Sequence, residues 1–356
     1  MKAAFLVGVE QIEIRDVPDP VAPEGGLVLG VATCGVCGSD LRRWREGPTQ
    51  HIGPIVPGHE VAGVVTQVGP DVTDYELGDR LAIAPDIHCG TCYYCQRGLY
   101  NLCDALQFIG ISTVYPGGMA EKMVLPHEVL VNGIVHRLPP GTSFMEGALA
   151  EPCSSVLASH HKASTGLGDT VVVMGAGPIG CLHAIVAKAR GARVIVSEPS
   201  AQRREMVERF RPEAVVDPFA EDLNDRVREL TGGVGADIVV CANPVPATHA
   251  QAVEIVRKAG RVMLFGGLPK ANPTTSFDGN IVHYGEIEVV GAFSYHPTFH
   301  AMALDVLSRG VIPAGLVITH SLPLEMAADA FQKAASGDAL KVLVTTAVYR
   351  EGNGAQ

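Results

Sequence analysis

No run of eighteen apolar residues occurs in the 356-residue chain, so no segment reads as a membrane-spanning helix. Positive charge is scarce: 27 Lys and Arg face 38 Asp and Glu, and the formal net charge of −11 disfavours nucleic acid or an anionic membrane as partner. The opening Met1-Lys2-Ala3-Ala4-Phe5-Leu6 has the character of a strand and lacks the pattern of a secretion signal. Internal repeats and low-complexity segments are missing. The nine cysteines are an odd set in a large chain without such a signal, which argues for thiols and metal ligands over disulfides. A soluble, cytoplasmic protein is expected.

What is present fits a folded, two-domain chain. Hydrophobic residues make up 47% and charged residues 18%, which excludes a disordered or fibrous chain, and the length allows two cores. Residues 1 to about 155 carry short apolar runs, such as 27–32 and 61–68, punctuated by Gly, Pro and Asp, the pattern of an irregular β-barrel. Beyond that point strands alternate with helices: strands are expected at 171–174, 192–197, 214–217, 237–241, 261–265 and 288–291. That alternation predicts a doubly wound parallel sheet. The expected domains are therefore 1–155, 156–291 and a return segment 292–356 that folds back onto the first.

Within the alternating part, Val171-Val172-Val173-Met174 runs into Gly175-Ala176-Gly177-Pro178-Ile179-Gly180 and then into a helical stretch. Gly175 lets the chain turn, Gly177 leaves room for a pyrophosphate and Gly180 allows helix and sheet to pack closely. The Gly-x-Gly-x-x-Gly alone also suits a tight turn without ligand. Glu198, at the end of the next strand, favours NAD, because its carboxylate can accept from the adenosine ribose hydroxyls and repels a 2′-phosphate. Arg203 is expected to flank the same ribose or to lie on a solvated helix face. Arg204 leaves NADP open.

Two clusters carry metal chemistry. Cys89, Cys92, Cys95 and Cys103 form a C-x2-C-x2-C-x7-C set, able to close a tetrahedron around a structural zinc, with an iron–sulfur cluster as the alternative. Cys37, His59 and Glu151, with Glu60 beside His59, are scattered as the ligands of a catalytic zinc usually are. Taken singly they also read as a packed Cys, an ordinary His and a helix-opening Glu-Pro. Cys34, Cys153, Cys181 and Cys241 are expected to be small buried residues, Cys153 alone close enough to Glu151 to line the metal site.

Cys-Gly-Val-Cys-Gly-Ser-Asp at 34–40, Gly-His-Glu at 58–60, the cysteine loop, Glu-Pro at 151–152 and Gly-Ala-Gly-Pro-Ile-Gly at 175–180 resemble the zinc-dependent medium-chain dehydrogenases. The sorbitol (L-iditol) dehydrogenase branch is the most similar, and residues 319–325, 330–331 and 341–342 continue the resemblance. It implies an α/β protein with a GroES-like β-rich catalytic domain and an inserted Rossmann domain. It further implies NAD bound by Gly175, Gly177, Pro178, Ile179, Gly180, Glu198 and Arg203, and two zincs per chain, one structural and one catalytic. Cys37, His59 and Glu151 are the implied catalytic ligands, Glu60 entering the shell in turn. The implied activity is hydride transfer between a secondary alcohol of a polyol, sugar or cyclitol and NAD. Ser39 relays the proton of the zinc-acidified alcohol. A homodimer or homotetramer is implied as well.

Two departures stand out. Where a relay His is common, the chain has Arg42, which cannot shuttle a proton, so His51 or water is expected to carry it. Around the polyol pocket, Arg43 precedes Trp44 and Ser294 precedes Tyr295, where Tyr and Arg are usual. Arg43 either faces a hydroxyl-rich or anionic substrate or is solvated. Rival readings are a dehydrogenase of simple secondary alcohols or threonine, which would need an apolar pocket, and a non-catalytic NAD-binding protein.

Overall fold

A computed structural model describes residues 1–48 and 53–349. They form two compact units: Met1–Ser154 together with the chain from Tyr295 onward, and Ser155–Ser294. No helix among the described residues is long and apolar enough to cross a membrane.

The Ser155–Ser294 unit is built on six parallel strands. In sheet order they are Ala214–Val216, Arg193–Ser197, Thr170–Met174, Ala236–Cys241, Val256–Leu264 and Glu288–Gly291. Numbered along the chain this is 3-2-1-4-5-6, the dinucleotide-binding order, with its switch point at the carboxyl end of Thr170–Met174. Val171, Val172 and Val173 are fully buried because helices cover both faces of a parallel sheet, so the strand is continuously apolar instead of alternating. Val172, Ile195, Val239 and Val262 share one core with Leu223, Val227 and Ala252 of the flanking helices.

The other unit centres on Leu27–Gly35, buried at all nine positions. It pairs antiparallel with Glu60–Val68, with Lys122–Leu125 and with Lys341–Thr345, the last supplied by the C-terminal return segment. Arg80–Ala84 and Ile134–Arg137 extend the sheet on one side, and Ile318–Pro323, parallel to Lys341–Thr345, on the other. Among the described residues the strand order is an open path, so the expected barrel is in detail a seven-stranded mixed sheet with satellite ribbons. The Glu151-Pro152 pair lies inside the helix Phe144–Lys162 and so does not open a helix, the alternative reading of that pair.

Candidate metal centre and dinucleotide turn

Cys37 ends the buried strand region and caps the helix Gly38–Glu46. Asp40 reaches back in a capping box, its Oδ2 accepting from the Cys37 N–H at 3.0 Å. His59 immediately precedes, and Glu60 opens, the neighbouring strand, and Gly35 and Glu60 are cross-strand partners. The sheet thus brings Cys37, His59 and Glu60 together, with ligand atoms all within 4.8 Å of one another. His59 is buried. Its Nε2 lies 3.4 Å from the Ser39 hydroxyl, while its buried Nδ1 has no hydrogen-bond partner and faces Asp40 Oδ1 at 3.6 Å. A carboxylate behind a histidine is the usual outer support of a metal ligand, and a thiol, an imidazole and a carboxylate form a donor set suited to zinc.

Glu60 does not stand alone. Lys341 Nζ donates to both of its oxygens, at 2.7 and 2.8 Å, and to the Val36 carbonyl at 3.2 Å. Burial lowers the pKa of this ammonium, but Glu60 and Cys37 outweigh it and the net shift is upward. Glu151 stays outside the three-residue cluster, and its Oε1 accepts from the Tyr295 hydroxyl at 3.0 Å. Burial pushes the Glu151 carboxyl up to about 7. Cys153 is fully buried, and burial raises its thiol beyond the range in which it would ionise.

The four-cysteine loop is compact. Cys95 Sγ lies 4.0 Å from Cys89 Sγ and 3.5 Å from Cys92 Sγ. A tetrahedral zinc with Zn–S bonds of about 2.3 Å has S–S edges of about 3.8 Å, so the loop fits one ion, whereas a multi-iron cluster would spread its cysteines wider. The backbone N–H groups of Cys92 and Cys89 donate to Cys89 Sγ and Cys103 Sγ, both at 3.3 Å. Hydrogen bonds from Thr91 and then Cys92 draw the Cys89 thiol down to about 6, while burial drives Cys95 up to about 12.

In the six-stranded unit, Gly175 has φ +112°, open to glycine at no cost, and a Cβ on Gly180 would meet the Gly175 carbonyl at 1.9 Å. Above Gly177 the nearest side-chain atom is Arg203 Nη1, at 4.0 Å from a notional Cβ. Pro178 and Ile179 start the helix Pro178–Ala189, whose free N–H groups face the turn. The buried Glu198 carboxylate accepts from the Ala176 N–H at 2.7 Å and the Ser200 N–H at 2.9 Å, which fixes it beside the turn. Arg204 is committed elsewhere, to Asp217 at 2.7 Å and to the Glu198 and Pro199 carbonyls, which removes it as a 2′-phosphate ligand in this conformation.

Three partners escaped the sequence reading: Asp40, Lys341 and, as the group that holds Glu151, Tyr295. Only Lys341 left a signal, a lone cation inside the apolar run Leu340–Val344. Trp44 is buried against Phe331, ring centroids 6.0 Å apart. Arg42 is exposed, Arg43 is half-buried, and Ser294 sits at φ +48°. His51 lies outside the described residues.

Residues 23–140 match the alcohol dehydrogenase GroES-like domain family and residues 178–309 the zinc-binding dehydrogenase family. The chain is similar to D-arabitol-phosphate dehydrogenase of Enterococcus avium, 33% identical over 95% of this chain and 94% of that one. It is 32% identical to sorbitol dehydrogenase of Halalkalibacterium halodurans, over 95% and 96% of the two chains. A zinc-binding dehydrogenase from Sinorhizobium meliloti, solved bound to NADP, superposes with a TM-score of 0.88 at 31% identity over 97% and 98% of the chains.

Proposed function

The chain belongs to the zinc-dependent alcohol dehydrogenase family, and we propose that within it this protein oxidises a secondary alcohol of a polyol, sugar or cyclitol, with NAD as hydride acceptor. The observation that carries the reading is the cluster of Cys37, His59 and Glu60 with an exposed Ser39 hydroxyl 3.4 Å from His59. The names of the Enterococcus avium and Halalkalibacterium halodurans relatives support a polyol as the substrate class.

In this reading Cys37, His59 and Glu60 hold a zinc ion, with Glu151 as the carboxylate next to them. Zinc at such a site acidifies an alcohol hydroxyl and polarises a carbonyl. Asp40 orients the His59 ring and Lys341 holds the Glu60 carboxylate in place. Ser39 takes the proton that the substrate hydroxyl gives up and hands it to water, because Arg42, always protonated, cannot pass it on. Cys89, Cys92, Cys95 and Cys103 hold a second, structural zinc that leaves no position open for chemistry.

Gly175, Gly177, Pro178, Ile179 and Gly180, with Arg203, would hold the dinucleotide, the helix N-terminus and the guanidinium offering N–H donors to its phosphates. Glu198 favours NAD over NADP, since a 2′-phosphate would meet a buried carboxylate. A cytoplasmic homodimer or homotetramer completes the reading.

The test is initial-rate reduction of NAD and of NADP by zinc-loaded protein against polyols, cyclitols, sugars, threonine and simple secondary alcohols. NAD reduction confined to polyhydroxylated compounds is expected. Turnover of threonine or simple alcohols alone, or a preference for NADP, would overturn the corresponding part.

A further inference from the structure

The helix Gly38–Glu46 carries three guanidinium groups, Arg42, Arg43 and Arg45. Asp40 and Trp44 are its buried residues, and Trp44 against Phe331 fixes the rotation of the helix. Arg43 follows Ser39 by four residues, so both stand on one stripe of the helix, Arg43 about 6 Å further along the axis. The relay hydroxyl of Ser39 and the guanidinium are therefore neighbours on one face.

Arg43 is half-buried, yet among the described residues nothing takes up its N–H groups. The other half-buried arginines give theirs to a carboxylate or a carbonyl, as Arg204 does to Asp217, Arg257 to Asp237, Arg261 to Glu288 and Arg190 to the Thr165 carbonyl. The one further exception is Arg203, poised over Gly177 where a pyrophosphate is expected. A partly desolvated guanidinium without an acceptor is unfavourable, and it is the natural state of an arginine whose partner arrives with the ligand.

We propose that Arg43 is a specificity-determining residue that pairs with a terminal anionic group, phosphate or carboxylate, of a polyol substrate. The inference rests on the polyol dehydrogenase reading of the Cys37–His59–Glu60 cluster. The planar fork of a guanidinium matches both anions with two parallel hydrogen bonds. The axial offset from Ser39 sets the anion several carbons away from the carbinol that reacts.

The test compares a polyol, its terminal phosphate and its terminal carboxylate, of one configuration, as substrates of the zinc-loaded protein with NAD. The wild type is expected to use one anionic member at least about tenfold better than the neutral polyol, and which member it is separates phosphate from carboxylate. Arg43→Gln is expected to remove that advantage, raising KM for the anionic substrate about tenfold to a hundredfold while leaving the neutral polyol within about twofold. Arg43→Lys restores part of it. Arg45→Ala, which removes the same charge from the exposed side of the same helix, leaves the preference intact. Equal use of neutral and anionic compounds by the wild type, or equal losses on both in Arg43→Gln, would overturn the proposal.

If no compound reduces NAD, the dehydrogenase reading itself fails. Calorimetric titration of the polyol phosphate and carboxylate then decides Arg43 independently: binding lost in Arg43→Gln supports it, unchanged or absent binding overturns it. Thermal melts of each variant establish that it is folded.

Discussion

Lys341 and Glu60 form a buried ion pair, 3% and 0% exposed, in which one ammonium closes on both carboxylate oxygens. They lie 281 residues apart in the chain and meet because the C-terminal strand Lys341–Thr345 and the strand Glu60–Val68 flank the same central strand. Removing one partner of such a pair strands a buried charge. Lys341→Met is therefore expected to destabilise the zinc-loaded protein by about 3–5 kcal/mol in urea unfolding. A cost under about 1 kcal/mol for Lys341→Met would show that the carboxylate is compensated by another group.

The cysteine loop predicts metal content. Wild-type protein should carry two zincs per chain and Cys95→Ser one, measured by atomic absorption after dialysis. Because the four thiolates knit residues 89–103 around one ion, this variant should also lose stability by several kcal/mol. Two zincs retained in Cys95→Ser would mean that the loop is not a metal site.

Glu198 predicts cofactor choice. Its two oxygens already accept from Ala176 and Ser200, which holds the remaining lone pairs at the turn. Glu198→Ala should lower kcat/KM for NAD about tenfold to a hundredfold while raising relative use of NADP, through loss of charge-assisted hydrogen bonds and of a repelling charge. An unchanged NAD to NADP ratio would remove Glu198 from cofactor recognition.

A buried relay of rings predicts acid sensitivity. His160 Nε2 lies 3.1 Å from His183 Nδ1, and His160 Nδ1 lies 2.9 Å from the Thr165 hydroxyl. Burial holds His160 at about 3 and His183 well below its usual 6.5, the neighbouring His160 lowering His183 further. With folded-state pKa values below the unfolded one, the native state binds fewer protons. The stability these histidines allow is present in full above pH 6.5 and is lost as pH falls from 6.5 toward 3. Each contributes a slope of up to about 1.4 kcal/mol per pH unit. Urea midpoints measured between about pH 7.5 and 5 should fall less steeply for His183→Leu than for wild type. Parallel curves would mean that His183 titrates in the fold as it does in the unfolded chain.

Much of this architecture was legible from local pattern. The six strands of the parallel sheet lie within a few residues of the expected runs, because buried parallel strands are uninterrupted apolar segments and the glycine turn has a rigid spacing. The four cysteines of the loop lie within fifteen residues, so their spacing alone implied one metal site. The catalytic cluster was legible less completely. Cys37, His59 and Glu60 stood in recognisable motifs, but whether Glu60 or Glu151 joins the thiol and the imidazole was not, since nothing near Glu151 in the chain announces Tyr295 as its partner.

The sequence by itself singled out the candidate metal ligands Cys37, His59 and the four loop cysteines, the glycine turn and the contrast between a β-rich and an alternating part, since each depends on composition or on spacing within about twenty residues. Tertiary structure decided which carboxylate is neutralised by Lys341, which is held by Tyr295, which arginine is spoken for by Asp217 and which, Arg43, finds no acceptor among the described residues. Those outcomes turn on distances between groups remote in the chain. Electrostatic and hydrogen-bond energies fall off within a few ångströms, and no local pattern encodes such a distance.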